Sequence, residues 1–246
     1  MFHRKTFKKL EEIMIHKNFP LRLLFFIVAT IPLLYINDFY HHFYVYLTGN
    51  IISQIFIQQW HLVVFSILLF VAFLIPLSFR RKTNWMEYGL VSAFFISLFV
   101  EMYGFPLTIF LASKYFFVAG VNLPNQIIQF KIFGIGFGMD LAMSYGTVLI
   151  TIGTFFIITG WLTLYRNIKK DRFVTNGIYS LSRHPQYFGF ILIVVGWFIG
   201  WPTILTLVMA PVLIWKYIRV SQTEEKELLK KVPEYQGYKI KTPFFI

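Results

Sequence analysis

The chain has 246 residues, 57% of them hydrophobic and 14% charged, against about 45–50% and about 25% in soluble domains. With a mean hydropathy of +0.63, this excludes disorder and argues against a soluble fold. The absence of cysteine excludes disulfides, thiolate nucleophiles, cysteine-type zinc sites and palmitoylation, while the formal charge of +12 raises nucleic acid as a partner until the cations are placed.

Residues 1–18 are basic and are expected at the lipid headgroups. An apolar span follows at 20–37, and no small-residue cleavage site follows Leu21 to Ile36, so it reads as an uncleaved anchor. His41-His42, in the loop beyond it, and His61, at the start of the next span, read as interfacial. Neither has partner ligands at metal spacing, so no metal site is expected. Spans are predicted at 60–79 and 86–113. The second of these carries Glu101-Met102-Tyr103-Gly104-Phe105-Pro106, where a membrane carboxyl is a functional candidate and Gly104 with Pro106 would open the helix beside it.

Residues 114–142 read as an outside loop. Its Gly134-x-Gly136-x-Gly138 has the wrong spacing for a dinucleotide fingerprint and no flanking strand and helix are predicted. A further span is predicted at 143–165, then an apolar run from Tyr187 to Val220 that Gly200-Trp201-Pro202 breaks into a helical hairpin. The first arm, 187–199, would reach only about 20 Å against a hydrocarbon core of about 30 Å. Gly196 and Gly200 form a step that allows close helix approach. The fold expected is an all-α, polytopic transmembrane helical bundle of about six membrane segments, the last two forming the hairpin. Residues 1–142 would hold the basic segment and the first three spans, and 143–246 the functional core with a C-terminal tail.

In that arrangement every cation except Lys114 and Lys131 falls on one side. The positive-inside rule then puts both termini in the cytoplasm. The charge thus reports topology and contact with anionic lipids, and no nucleic acid is expected as a partner.

Polar residues near a span need a reason. One group runs from Asn176 through Gly177-Ile178-Tyr179 and Arg183-His184-Pro185-Gln186-Tyr187-Phe188-Gly189, just before the hairpin. Pro185 disfavours helix at His184 and can open the next helix. The free amides there, with Arg183, could bind an anionic group. A second group, Glu224-Glu225 followed by Leu228, continues the second arm until Pro233 stops it. Both ends of a hairpin meet on one side, so the two groups should sit together.

These residues resemble the membrane methyltransferase superfamily of isoprenylcysteine carboxyl methyltransferases and phospholipid N-methyltransferases, over roughly residues 145–246. The resemblance rests on Gly177-Ile178-Tyr179, Arg183 to Gly189, Glu224-Glu225 with Leu228, and Tyr235-Gln236-Gly237-Tyr238, in that order around the hairpin. It implies S-adenosylmethionine as methyl donor, without a Rossmann fold, in a multi-pass protein of a bacterial inner membrane. It also implies donor contacts at His184, Tyr187, Glu224 and Glu225, supported by Tyr179 and Arg183. The acceptor would be lipidic or small and hydrophobic, with a carboxylate, amine or thiol left open. Arg183 or Arg172 could orient a carboxylate acceptor, an amine would need a base, and Glu101 is a candidate for acceptor contact. The rival reading is a non-enzymatic transporter or binding protein that uses Glu101 as part of a polar path.

Overall fold

The computed structural model describes residues 19–48, 121–132, 134–167 and 173–246. They are mostly helical: α1 (Phe19–Leu34), α2 (Ile36–Leu47), α3 (Leu141–Arg166), α4 (Pro185–Gly200), α5 (Ile204–Lys231) and α6 (Tyr235–Lys241), with a 3-10 turn at Gly177–Ser180. The spans expected at 60–79 and 86–113, with Glu101, and also Arg172, lie outside the described residues. Among the described residues α3 alone is long and apolar enough to cross a membrane, and α1 with α2 makes a second if the bent pair forms one span.

Two expectations are corrected here. The segment read as an outside loop contains an antiparallel hairpin of β1 (Ile128–Ile132) and β2 (Ile135–Met139), with Ile132 paired to Ile135 and Ile128 to Met139. Gly134 turns it at φ 83°, a left-handed conformation that glycine adopts without steric cost. The glycine run therefore does have a strand around it and a helix after it. Gly136 and Gly138 sit on β2 itself and only Asp140 separates β2 from α3, so no glycine loop is present there to cradle a phosphate. The second correction concerns His42. It lies in α2 and is fully buried, not interfacial in a loop. Its Nδ1 is 2.7 Å from Asp140 Oδ2. The other Asp140 oxygen accepts the Met143 amide at 2.8 Å, capping α3 at its N-terminus.

The predicted break does separate two helices, though the first runs from Pro185 to Gly200 and not from 187 to 199. Pro185 opens α4, where its missing N–H costs nothing. At 16 residues the helix reaches about 24 Å, short of a full hydrocarbon core. Trp201, Pro202 and Thr203 separate the arms. Thr203 and Thr206 then cap α5 reciprocally: the Thr206 amide donates to Thr203 Oγ1 at 3.1 Å and the Thr203 amide to Thr206 Oγ1 at 2.8 Å.

The described residues belong to two compact units, one drawn from Met1–Tyr35, Leu149–Ile193 and Ile214–Ile246, the other from Ile36–Val148 and Val194–Leu213. In each, α3 meets α4 through glycine. In the second unit Gly146 leaves no room for a Cβ, which would fall 2.5 Å from the Gly196 carbonyl oxygen and 2.9 Å from Gly200 Cα. In the first, Gly153 and Gly189 face each other so closely that a Cβ on either would lie 2.5 Å from the other's carbonyl oxygen. Gly160 in turn makes room for the Gln186 side chain. Gly146, Gly153 and Gly160 recur every seven residues, two helical turns, and so form one stripe. The sequence reading picked out only Gly196 and Gly200 and missed their counterparts on α3.

Large apolar side chains remain exposed along α1 and α3, including Phe26, Leu34, Phe155, Trp161 and Tyr165. A water-soluble core helix would hide such a surface; lipid accommodates it.

Gly153→Ala is expected to lower the melting temperature of the detergent-purified protein by several degrees, because backbone must move to admit the methyl group. Gly237→Ala, on α6 with open space around it, is expected to leave melting unchanged or raise it slightly. Equal melting of both variants would show that the glycine contact does not set the helix spacing.

Candidate functional site

The site lies in the first unit and begins at the 3-10 turn. Gly177 has φ 58°, and a Cβ there would also meet Thr163 at 3.3 Å, so glycine is required to start the turn. The Tyr179 amide donates to Asn176 O at 3.2 Å and Leu181 to Ile178 O at 3.1 Å. Ser182 lies between the turn and α4: its hydroxyl accepts the His184 amide at 3.2 Å and donates to Phe244 O at 3.1 Å. The Arg183 amide donates to Pro243 O at 3.0 Å. The C-terminal tail is thus stitched to the Arg-His-Pro segment, and the Phe244 ring lies 4.8 Å from that of His184.

Beneath this layer sits Glu225, its side chain 5% exposed. Arg183 Nη1 lies 3.2 Å from Oε1, His184 Nε2 3.1 Å from the same oxygen, and Lys239 Nζ 3.2 Å from Oε2. One buried carboxylate therefore ties α5 to the start of α4 and to α6. The Arg183 guanidinium also lies 5.4 Å over the Phe244 ring. Its Nη1 is thus paired within the protein, while its buried Nε has no hydrogen-bond partner among the described residues.

The His184 imidazole is held below its ordinary pKa, first by burial and also by the Arg183 charge, against the raising effect of Glu225. It is neutral at pH 7. A carboxylate only accepts, so the Nε2 facing Glu225 carries the ring proton and Nδ1 is bare. Burial also raises the phenols: Tyr235 is pushed up to about 12, with Glu225 adding to the effect, and Tyr179 and Tyr238 rise further. All three remain hydrogen-bond donors. Tyr238 OH donates to Tyr179 O at 2.6 Å, and Tyr187 OH donates to Glu224 Oε1 in a short contact.

These groups surround a cavity of about 320 Å³, lined by Tyr179, Arg183, His184, Gln186, Tyr187, Glu224, Tyr235 and Tyr238, with Leu164, Phe173, Val174 and Leu228 as apolar wall. Its size falls in the range of small-molecule sites, as does its mixture of aromatic wall and few convergent polar groups. The structure thus brings together six of the eight residues singled out from sequence: Tyr179, Arg183, His184, Tyr187, Glu224 and Glu225. It divides the glutamate pair, since Glu224 lines the cavity and Glu225 lies under it, clamped by Arg183, His184 and Lys239. The other two, Arg172 and Glu101, are outside the described residues. Sequence reasoning assigned no site role to Tyr235, Tyr238 and Lys239. The Tyr-x-x-Tyr spacing puts both rings on one helical face, with Lys239 one turn past Tyr235.

Residues 132–232 match the family model described as phospholipid methyltransferase. That segment is therefore similar to a family of the isoprenylcysteine and phospholipid methyltransferase superfamily. The segment matched to the phospholipid methyltransferase family contains α3, the 3-10 turn, α4 and α5, and ends before α6, which adds Tyr235 and Tyr238 to the cavity. The cobalt-zinc-cadmium resistance protein CzcN of Cupriavidus metallidurans is 35% identical over 104 residues, covering 41% of this chain and 45% of the relative. The match therefore spans under half the length of that curated relative. No solved structure matches the chain.

Removing Glu225 strands the buried Arg183 charge, and breaking a buried pair costs about 3–5 kcal/mol. Glu225→Ala is expected to lose that much stability in denaturant titration; a loss under about 1 kcal/mol would show that the cluster is not what holds the segments together. For His184 the sign follows from its lowered pKa. The unfolded imidazole, near about 6.5, takes up a proton before the folded one does, so stability is complete above that pH and is lost as pH falls below it. His184→Gln is expected to flatten the fall in melting temperature between about pH 7 and pH 5.

Proposed function

We propose that this protein is an integral-membrane methyltransferase that takes its methyl group from S-adenosylmethionine and passes it to a lipidic or small hydrophobic acceptor. The observation that carries this reading is the aromatic cavity over Glu225, ten of whose twelve lining residues lie in the segment that matches the phospholipid methyltransferase family.

The lining suits such a donor. Tyr179, Tyr187, Tyr235 and Tyr238 offer faces for an adenine ring or a sulfonium cation, and Glu224 offers acceptor oxygens for ribose hydroxyls or an amine. The donor supplies an activated methyl group when bound, so the chain itself need form no covalent intermediate. What the residues must do is position two partners in line and keep water out. Tail residues Pro243 and Phe244, hydrogen-bonded to Arg183 and Ser182, cover one side of the Arg-His-Pro segment. An apolar acceptor would reach the cavity from the lipid, past the exposed aromatic surface of α3. With the cations on one side, the cavity would lie at the cytoplasmic face, with both termini cytoplasmic.

The curated relative's name speaks of cobalt, zinc and cadmium resistance. Among the described residues no group of three or more His, Cys, Asp or Glu side chains could hold a metal ion, and a metal has no part in this proposal.

Isothermal titration of the purified full chain with S-adenosylmethionine or its demethylated product is expected to show saturable binding. Glu224→Ala should weaken it at least tenfold, about 1.4 kcal/mol, with melting little changed. Absence of heat at high micromolar ligand with folded protein would overturn the reading.

A further inference from the structure

His184 lines the cavity, and its two ring nitrogens are held differently. We infer that its Nδ1 is the proton acceptor of the reaction, and hence that the acceptor molecule reacts through a group that must give up a proton. This rests on the methyltransferase reading of the same cavity and goes one step beyond it.

The geometry is that of an imidazole–carboxylate dyad. Glu225 Oε1 holds Nε2 at 3.1 Å, and since the carboxylate can only accept, the ring's proton is fixed on Nε2. The lone pair is left on Nδ1, for which no hydrogen-bond partner stands among the described residues. The ring lines the cavity, so Nδ1 is the nitrogen left to meet a ligand. Its orientation is enforced from several sides. Ser182 Oγ accepts the His184 amide, Phe244 lies against the ring, and Tyr187 flanks it with ring centroids 5.9 Å apart. Such a carboxylate both selects the tautomer and offsets the charge of the imidazolium that forms.

The groups facing the ring account for its readiness. Glu225 lies in direct contact, Arg183 adjoins it, and Lys239 reaches Glu225 from α6. Burial, with the Arg183 charge beside it, outweighs the raising effect of Glu225, so the ring rests neutral. A neutral imidazole can take a proton; one already protonated by an uncompensated Glu225 could not.

The step balances as follows. An acceptor bearing an ammonium or a thiol gives its proton to Nδ1. Its freed lone pair then bonds to the methyl carbon as the carbon–sulfur bond of the sulfonium donor breaks, the bonding electrons going to sulfur. The donor leaves as a neutral thioether. The imidazolium, held against Glu225, returns the proton to solvent. A carboxylate acceptor carries no such proton at neutral pH and would not need His184 in this role. Arg183, the cation expected to orient a carboxylate, has its Nη1 paired with Glu225.

The decisive variant is His184→Gln, whose side-chain amide can still donate to Glu225 but has no basic nitrogen at the Nδ1 position. The first measurement is ¹⁵N NMR of the histidine-labelled full chain in detergent, with the His184 signals identified by their loss in His184→Gln. An unprotonated Nδ1 and a protonated Nε2 are expected at pH 7.5, and a protonated Nδ1 would overturn the proposal. The second is transfer of radiolabelled methyl from the donor to amphiphiles of one chain length with an amine, thiol or carboxylate headgroup. The amine or thiol is expected to be labelled, with a rate that rises with pH through one ionisation below that of free imidazole. In His184→Gln that rate should fall at least a hundredfold and lose the ionisation, while donor affinity by calorimetry stays within about threefold. Labelling of the carboxylate alone, or an unchanged pH profile in His184→Gln, would overturn the assignment. So would a parallel loss of rate and donor affinity, because the ring would then be a binding contact only. Failure of wild-type protein to bind the donor at all is read by the same calorimetry and counts against the methyltransferase reading itself.

Discussion

The site depends on one buried carboxylate. Glu225 has Arg183, His184 and Lys239 within 3.2 Å, and these come from segments forty or more residues apart in the one direction and fourteen in the other. A buried ion cluster of this kind is a weak source of net stability, because desolvation opposes the attraction. Its value here is specificity of arrangement. With Glu225 in place, the Arg-His-Pro segment, α5 and the tail have one way to meet, and the tyrosines they carry enclose a cavity. The cluster also sets the chemistry above it, since the same carboxylate fixes the tautomer of His184 while burial, with the Arg183 charge, keeps that ring neutral.

The glycine stripe supplies the complementary constraint. Close approach of α3 and α4 at Gly153 and Gly189 fixes how the first turn of α4, with His184 just before it, stands against the end of α3. Gly160 then admits Gln186, and Gly177 turns the chain against Thr163. In a membrane there is no hydrophobic drive between apolar helices, so van der Waals contact through small residues must provide the association. The polar cluster lies beyond the apolar length of α4 and beside the polar half of α5, where burying charge costs less than it would mid-membrane.

Much of this was legible in the sequence because it is local. Gly200-Trp201-Pro202 breaks a run too long for one helix, Pro185 opens the next, and a hairpin brings its two ends together; these features alone place Arg183 and His184 near Glu224 and Glu225. What was not legible is long-range. Nothing local says that Tyr238 bonds to the Tyr179 carbonyl, or that Lys239 completes the cage around Glu225, because α6 is a seven-residue amphiphilic helix whose packing is decided elsewhere. The pairing of His42 with Asp140 was missed for the same reason: the two are 98 residues apart, and a histidine pair in a polar stretch reads as interfacial. The β1–β2 hairpin was hidden by an apolar, glycine-containing stretch whose short alternation is too weak to separate strand from loop.

The central claim is that the cavity over Glu225 holds the methyl donor, and amide hydrogen exchange tests it most directly. With saturating S-adenosylmethionine or its demethylated product, the full chain in detergent should show slowed exchange in two separate stretches, 173–187 and 224–245. These carry the lining tyrosines and the tail that is bonded to Ser182 and Arg183. Unchanged exchange in both stretches under conditions where binding is saturated, with protection confined to other parts of the chain, would contradict the account.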